Sequence, residues 1–294
     1  MTAWFQRRYL DYAIVGEFNS AWPGIAVEPF VAAAKGTGCE ILGMMNDMTG
    51  STWSGPPDPE ERGVARSPKR SGYNSMLMSP DEARAIAHNI YSWGATGIGL
   101  WNLPNNFNIF GHGEWGQFLE QIERMMDWML EAADPECVRA GRRRYHFLPI
   151  YKRDLHGVKR NYKFMESWRS PLGSFKAPTL YFNEGMRGIR QVFPFRMADG
   201  RNGEKLKGTF RFRILHCKGD DTFRIDINGQ EVPSDLIKRT FNDVPDMPET
   251  WAEVDLADCS PFKGDNELGI IWESEVDHGL DVPFMEELDV TVEP

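Results

Sequence analysis

Apolar positions along the first 133 residues fall into short runs that alternate between two periods. DYAIVGE (11–17) carries an unbroken apolar run, Ala13-Ile14-Val15, that stops at Gly16 and Glu17, as a buried strand would. VEPFVAAAKGTG (27–38) follows with helical spacing, closed by Gly36 or Gly38. CEILGMMND (39–47) is apolar on both faces, the pattern of a parallel strand covered on both sides. SPDEARAIAHNIYSWG (79–94) opens with Ser79 as N-cap, Pro80 at the first helical position and Glu82 three residues on, a complete capping box. Ala83, Ile86, Ala87, Ile90 and Tyr91 mark its apolar face, and Gly94 ends it. TGIGLWN (96–102) reads as a third strand, and EWGQFLEQIERMMDWMLEAA (114–133) as an amphipathic helix whose Met and Trp residues belong to a core. Three βα units in sequence predict a parallel sheet.

Beyond residue 178 the period changes to two. GTFRFRILHC (208–217) sets Phe210, Phe212 and Ile214 against Arg211 and Arg213. DTFRIDINGQEV (221–232) repeats the alternation around Asn228-Gly229, a pair suited to a two-residue hairpin turn. TWAEVDLAD, NELGIIWES and MEELDVTVE add further runs, so this part reads as a β-sandwich. The expected organisation is an α/β portion at 1–135, a linker or first-strand region at 136–177 and a sandwich at 178–294. The linker holds RAGRRRYHF and YKRDLHGVKRNYK, basic runs that read as a solvated face.

Composition narrows the function classes. Hydrophobic residues are 41% and charged residues 26% of the 294, ordinary for a globular chain. A net charge of -10 argues against nucleic acid as partner. No apolar run approaches a membrane span, and MTAWFQRRYLDY lacks a signal-peptide core. The compartment is left open, with export allowed if the true N-terminus lies upstream. Cys39, Cys137, Cys217 and Cys259 form no C-x-x-C pair, and the six histidines form no ligand-spaced cluster. No metal and no cofactor is expected. P-loop, G-x-G-x-x-G and G-x-S-x-G motifs are absent.

SPDEARAIAHNIYSWGATGIGLWNL resembles a segment of bacterial glycoside-hydrolase-like (β/α)8 barrel proteins, in which a helix leads into a GA-x-GI-x-LWN strand late in the barrel. DYAIVGE and KGTGCEILGMM resemble the two preceding strands. DTFRIDINGQEV and FKGDNELGIIW resemble an appended jelly-roll or galactose-binding-like sandwich. The resemblance implies an α/β plus all-β chain: the last three βα units of a TIM barrel, then the sandwich. Three units cannot close a barrel, so it also implies a fragment, or a second chain that completes the barrel.

Barrel active sites lie at the C-terminal ends of strands. The resemblance therefore nominates Glu17 and Asp47 as the carboxylate pair of a glycosidase; carboxylates at equivalent heights on adjacent parallel strands could approach the retaining separation of roughly 5 to 5.5 Å. The competing reading makes each a rim acid bonded to loop backbone. Phe18, Trp22, Trp53 and Trp101 are candidate sugar platforms, and Asn102 and His112 candidate hydroxyl partners. The expected function is action on, or binding of, carbohydrate. The alternative is a non-catalytic carbohydrate-binding or structural interaction protein.

Overall fold

The computed structural model describes residues 2–16, 23–46, 78–101, 126, 128–147, 180–200, 205–243, 248–259, 261–276 and 282–294. The first part holds α1 (Thr2–Gln6), β1 (Tyr12–Val15), α2 (Glu28–Ala34), β2 (Glu40–Asn46), α3 (Pro80–Ser92) and β3 (Gly97–Trp101). Strands β1, β2 and β3 form a parallel sheet in that order. Glycines set its packing: a Cβ on Gly43 would lie 2.4–2.8 Å from three side-chain atoms of Ile90, so β2 and α3 meet backbone to side chain. Ile86, Ala87, Ile90, Met45 and Trp128 share the core between this sheet and its helices.

The remainder begins with α4 (Pro135–Ala140), β4 (Arg143–Phe147), β5 (Arg190–Met197) and β6 (Gly208–Leu215). Strands β7 (Phe223–Ile227), β8 (Gln230–Glu231), β9 (Lys238–Asn242) and β10 (Glu249–Asp255) follow. The chain closes with α5 (Leu256–Cys259), β11 (Gly264–Trp272) and β12 (Phe284–Val292). Two antiparallel sheets result, ordered β4-β12-β6-β10-β9 and β5-β11-β7-β8. Period-two alternation sends Phe210, Phe212, Leu288 and Val290 of one sheet into a shared core with Phe193, Phe195, Leu268 and Trp272 of the other. Phe182 stacks on Trp272 at 5.4 Å, and Phe147 meets Phe195 at 5.7 Å. Burying each such ring contributes roughly 1.5–3 kcal/mol. At the β7–β8 turn Asn228 and Gly229 both take positive φ, 55° and 79°, as a tight two-residue hairpin requires.

The expected fold class, a partial (β/α)8 (TIM) barrel followed by a jelly-roll/galactose-binding-like sandwich, is overturned. The described residues are predominantly strand, their helices are few and short, and nine of the twelve strands lie in the two antiparallel sheets. Helix α3 shows the physical reason. In a barrel its inner face would pack on strands and its outer face would meet water. Here Ala83, Ile86, Ala87 and Ile90 do face the parallel sheet, but Glu82, Ala85 and Asn89 are buried too, against the two-sheet part. Strands β4 and β5 are edges of their sheets; α3 lies along β4 and reaches the end of β5 through Asn89. An uncovered edge invites pairing with other chains, and the helix closes that of β4.

The basic run RAGRRRYHF also departs from a solvated face. Its residues 143–147 form β4, paired with β12, and Arg143, Tyr145, His146 and Phe147 are buried. LAD, the end of the run TWAEVDLAD, lies instead in the short helix α5.

Because β2 touches α3 through Gly43, Gly43→Ala is expected to destabilise the chain by about 1–3 kcal/mol through overpacking against Ile90. Urea unfolding followed by tryptophan fluorescence checks this; an unchanged midpoint would contradict the close approach.

Candidate functional site

Two places concentrate chemistry: the carboxyl edge of the parallel sheet, and the charged layer between α3 and the antiparallel sheets. At the first, β1, β2 and β3 run the same way, so their C-terminal residues Val15, Asn46 and Trp101 end on one edge. Gly16 sits tight against β2, where a Cβ would come 2.6 Å from Met44 Cβ. Trp101 is the last residue of β3 and pairs with Asn46; its side chain is not among those described. Glu17, Phe18, Trp22, Asp47, Trp53, Asn102 and His112 lie outside the described residues. The strand register bears on the first two. Val15 pairs with Gly43, so Glu17 follows its strand partner by two residues in sequence and Asp47 by four. Equivalent height therefore does not follow from their places in the sequence.

The second place begins with the capping box. Glu82 accepts from the Ser79 amide through Oε2 at 2.7 Å, and the Ser79 hydroxyl accepts from the Glu82 amide at 3.3 Å. The other oxygen, Oε1, meets His146 Nδ1 of β4 at 2.9 Å. His146 Nε2 meets Glu287 Oε2 of β12 at 3.0 Å, and Asp289 Oδ1 lies 3.8 Å away. Arg144 grips Asp289 with two bonds, 3.0 and 2.7 Å, and stands 3.4 Å from Glu82. Arg211 reaches Asp289 from β6 at 2.9 Å. Arg213 bridges Glu287 at 3.3 Å and Glu249 at 3.0 Å. Burial works against ionising Glu82, but the His146 bond, the charges of His146 and Arg144 and the Ser79 amide outweigh it and pull its carboxyl down to about 2.

Six residues along α3, nearly two helical turns from Glu82, His88 faces the other side of β4. Its Nδ1 lies 3.0 Å from the Tyr145 hydroxyl, which donates to Asp199 Oδ2 at 2.6 Å. Arg143 holds Asp199 in a two-pronged bond, 2.7 and 3.0 Å, and spends its remaining amino group on the carbonyls of Arg139 and Gly141 at the end of α4. Burial opposes charge on Asp199, yet the bonds from His88 and Arg143 hold its carboxyl far below the usual range. Burial, then Asp199, pushes the Tyr145 hydroxyl well above its ordinary value. Asn89 completes the seam, accepting from the Ala198 amide at 2.6 Å and donating to the carbonyls of Pro23 and Arg196.

A tyrosine, histidine and aspartate in line can relay protons, but here protein groups already engage Tyr145 and Asp199, and Tyr145 is wholly buried. The arrangement is suited to fastening three elements together rather than to receiving a substrate. Among the described residues no cluster of His, Cys, Asp and Glu has metal-binding geometry. No helix among them is long and apolar enough to cross a membrane. The sequence reading missed this seam. Its signal was the alternation Arg144-Tyr145-His146-Phe147, a strand pattern inside a run dominated by positive charge.

The sign of the pH effect follows from Glu82. A carboxyl held at about 2, below an unfolded value of roughly 4.3, contributes stability that is present above that unfolded value and lost as pH falls through about 2. Asp199 acts in the same direction. Glu82→Gln is expected to cost about 3–5 kcal/mol at neutral pH, because it leaves His146 and Arg144 short of a buried counter-charge, and to flatten the acid limb. Denaturant unfolding across a pH series measures both. No protein-family model matches the chain, and comparison with curated proteins finds no match.

Proposed function

We propose that the chain binds carbohydrate at the carboxyl edge of the parallel sheet, with Glu17 and Asp47 as the carboxylate pair for glycosyl transfer to water. The observation that supports this reading is the common direction of β1, β2 and β3. Ligands of open parallel sheets sit outside the carboxyl ends of the strands. The segments that leave those ends carry Glu17, Phe18, Trp22, Asp47, Trp53 and Asn102. Aromatic faces suit the C–H faces of sugar rings, and carboxylates and amides suit their hydroxyls. The charged seam belongs to the scaffold in this reading.

A second reading, a carbohydrate-binding protein without hydrolysis, is favoured by one observation. The strongest carboxylate clusters among the described residues are taken up by arginine and histidine partners inside the protein.

The full chain is expected to retain a subset of glycans on an array, and Trp22→Ala or Trp53→Ala to weaken that binding about tenfold. Release of reducing ends from the retained glycan, abolished in Glu17→Gln with binding intact, supports hydrolysis. Binding without any release supports the second reading. A chain that retains no glycan overturns both.

A further inference from the structure

An edge strand turns half of its backbone N–H and C=O groups away from its one neighbour, and a protein has to cover, shorten or guard such edges. The two antiparallel sheets have four of them. Strand β4 is covered by α3. Strand β5 carries Pro194, which has no N–H to offer a further strand. Strand β8 is two residues long. Strand β9 has none of these protections. Its five residues, Lys238–Asn242, include no proline, are all exposed, and pair with β10 alone among the described residues.

The guard left to β9 is charge, and that charge is sorted along the strand. Lys238 and Arg239 open it, and the exposed Asp243 follows its last residue. Lys238 is drawn back toward Glu253 of β10, at 3.7 Å, which leaves Arg239 as the cation nearest the open side. Opposite charges across a strand pair stabilise it, and like charges oppose it. A second β9 laid alongside in the same direction would set cations against cations. Laid in the opposite direction, the start of each strand meets the end of the other, and cation faces acid.

Symmetry narrows the register. A closed pair of identical chains needs a two-fold axis, which for antiparallel neighbours in one continuous sheet stands perpendicular to that sheet. Residues that face each other across it then point to the same side. Arg239 and Phe241 lie on the side of Ala252 and Thr250, their partners on β10, and Thr240 lies on the side of Trp251. An axis at Thr240 would set Arg239 against Phe241. An axis at Phe241 sets Arg239 against Asp243 twice and brings together two phenyl rings, each 42% exposed in a single chain. The stem of Arg239 is already steadied on the Phe223 ring, whose centre lies 4.5 Å from the guanidinium carbon.

We propose that β9 is a dimerisation edge: two copies of the chain pair antiparallel through β9 about a two-fold axis at Phe241, Arg239 of each copy facing Asp243 of the other, so that two five-stranded sheets become one. Each copy spends its β9 in the contact, so assembly stops at two.

The test is sedimentation of the full chain across a concentration series. The mass is expected to rise from the 33.6 kDa of one chain toward twice that value and no further. A single-chain mass throughout overturns the proposal, as does growth beyond two chains. Arg239→Asp and Asp243→Arg are each expected to weaken the dimer about tenfold, since each turns two attractions into repulsions, and the double variant is expected to restore it. A dimer that neither single variant weakens, or that the folded double variant does not restore, rules out this register and with it the proposal. Should a variant fail to fold, amide exchange of the wild-type chain decides: protection of β9 relative to β6 is expected to rise with chain concentration, and protection that ignores concentration overturns the dimer.

Discussion

The joint between α3 and the antiparallel sheets turns on the carboxylate of Glu82. One oxygen satisfies the first free amide of α3, and the other holds a histidine in the edge strand of a different sheet. A helix cap is ordinarily a local matter worth about 1 kcal/mol. Here the same group fixes where the helix starts and what it lies against. Its burial gives the carboxylate no water to fall back on, so the partners must be in place together.

The consequence is a helix with two loyalties. Ile86 and Ile90 face the parallel sheet, while Ala85 enters the core of the antiparallel pair and Asn89 closes on the Ala198 amide. Burial of apolar surface does not choose an orientation sharply, since small residues such as Ala83, Ala85 and Ala87 would fit several. The polar contacts choose it. Glu82 meets His146 and Arg144, and His88 meets Tyr145, each from a fixed position on β4. Replacing such layers by hydrophobic groups is often neutral or stabilising. Their role here is to set the register of α3 on β4, an arrangement with few alternatives because every displaced charge would be stranded.

How much was legible in the sequence divides along the same line. Local rules located α3, its capping box, the Asn228-Gly229 turn and most strand positions of the antiparallel sheets, because those signals lie within a dozen residues. The same rules missed β4 and mistook the assembly of the first part. Arg142, Arg143 and Arg144 read as solvated charge because their partners, Asp199, Asp289 and Glu293, come from distant segments. The alternation of strand and helix said parallel sheet, and β1, β2 and β3 are parallel. It could not say that the polar side of α3 is covered, since Glu82, His88 and Asn89 look like any outer helical face until β4 and β5 are brought against them. The barrel expectation rested on the resemblance of SPDEARAIAHNIYSWGATGIGLWNL and on the three βα units, neither of which reports what covers that face. As for the candidate site, the sequence fixes which residues follow each strand, and the register adds that equal height for Glu17 and Asp47 is not given by their positions.

Rigidity of the seam also constrains what the carboxyl edge can do. Strand β2 is pressed on α3 through Gly43 and Ile90, and α3 is tied to two further sheets. The ends of β2 and β3 thus inherit the position of a helix that cannot shift without breaking buried ion pairs. A binding site needs its groups held to within about half an ångström, and rigid elements supply that better than loops. The antiparallel sheets need not touch a ligand to matter for one. By fixing α3 they fix the edge from which the segments bearing Glu17, Asp47 and Asn102 depart.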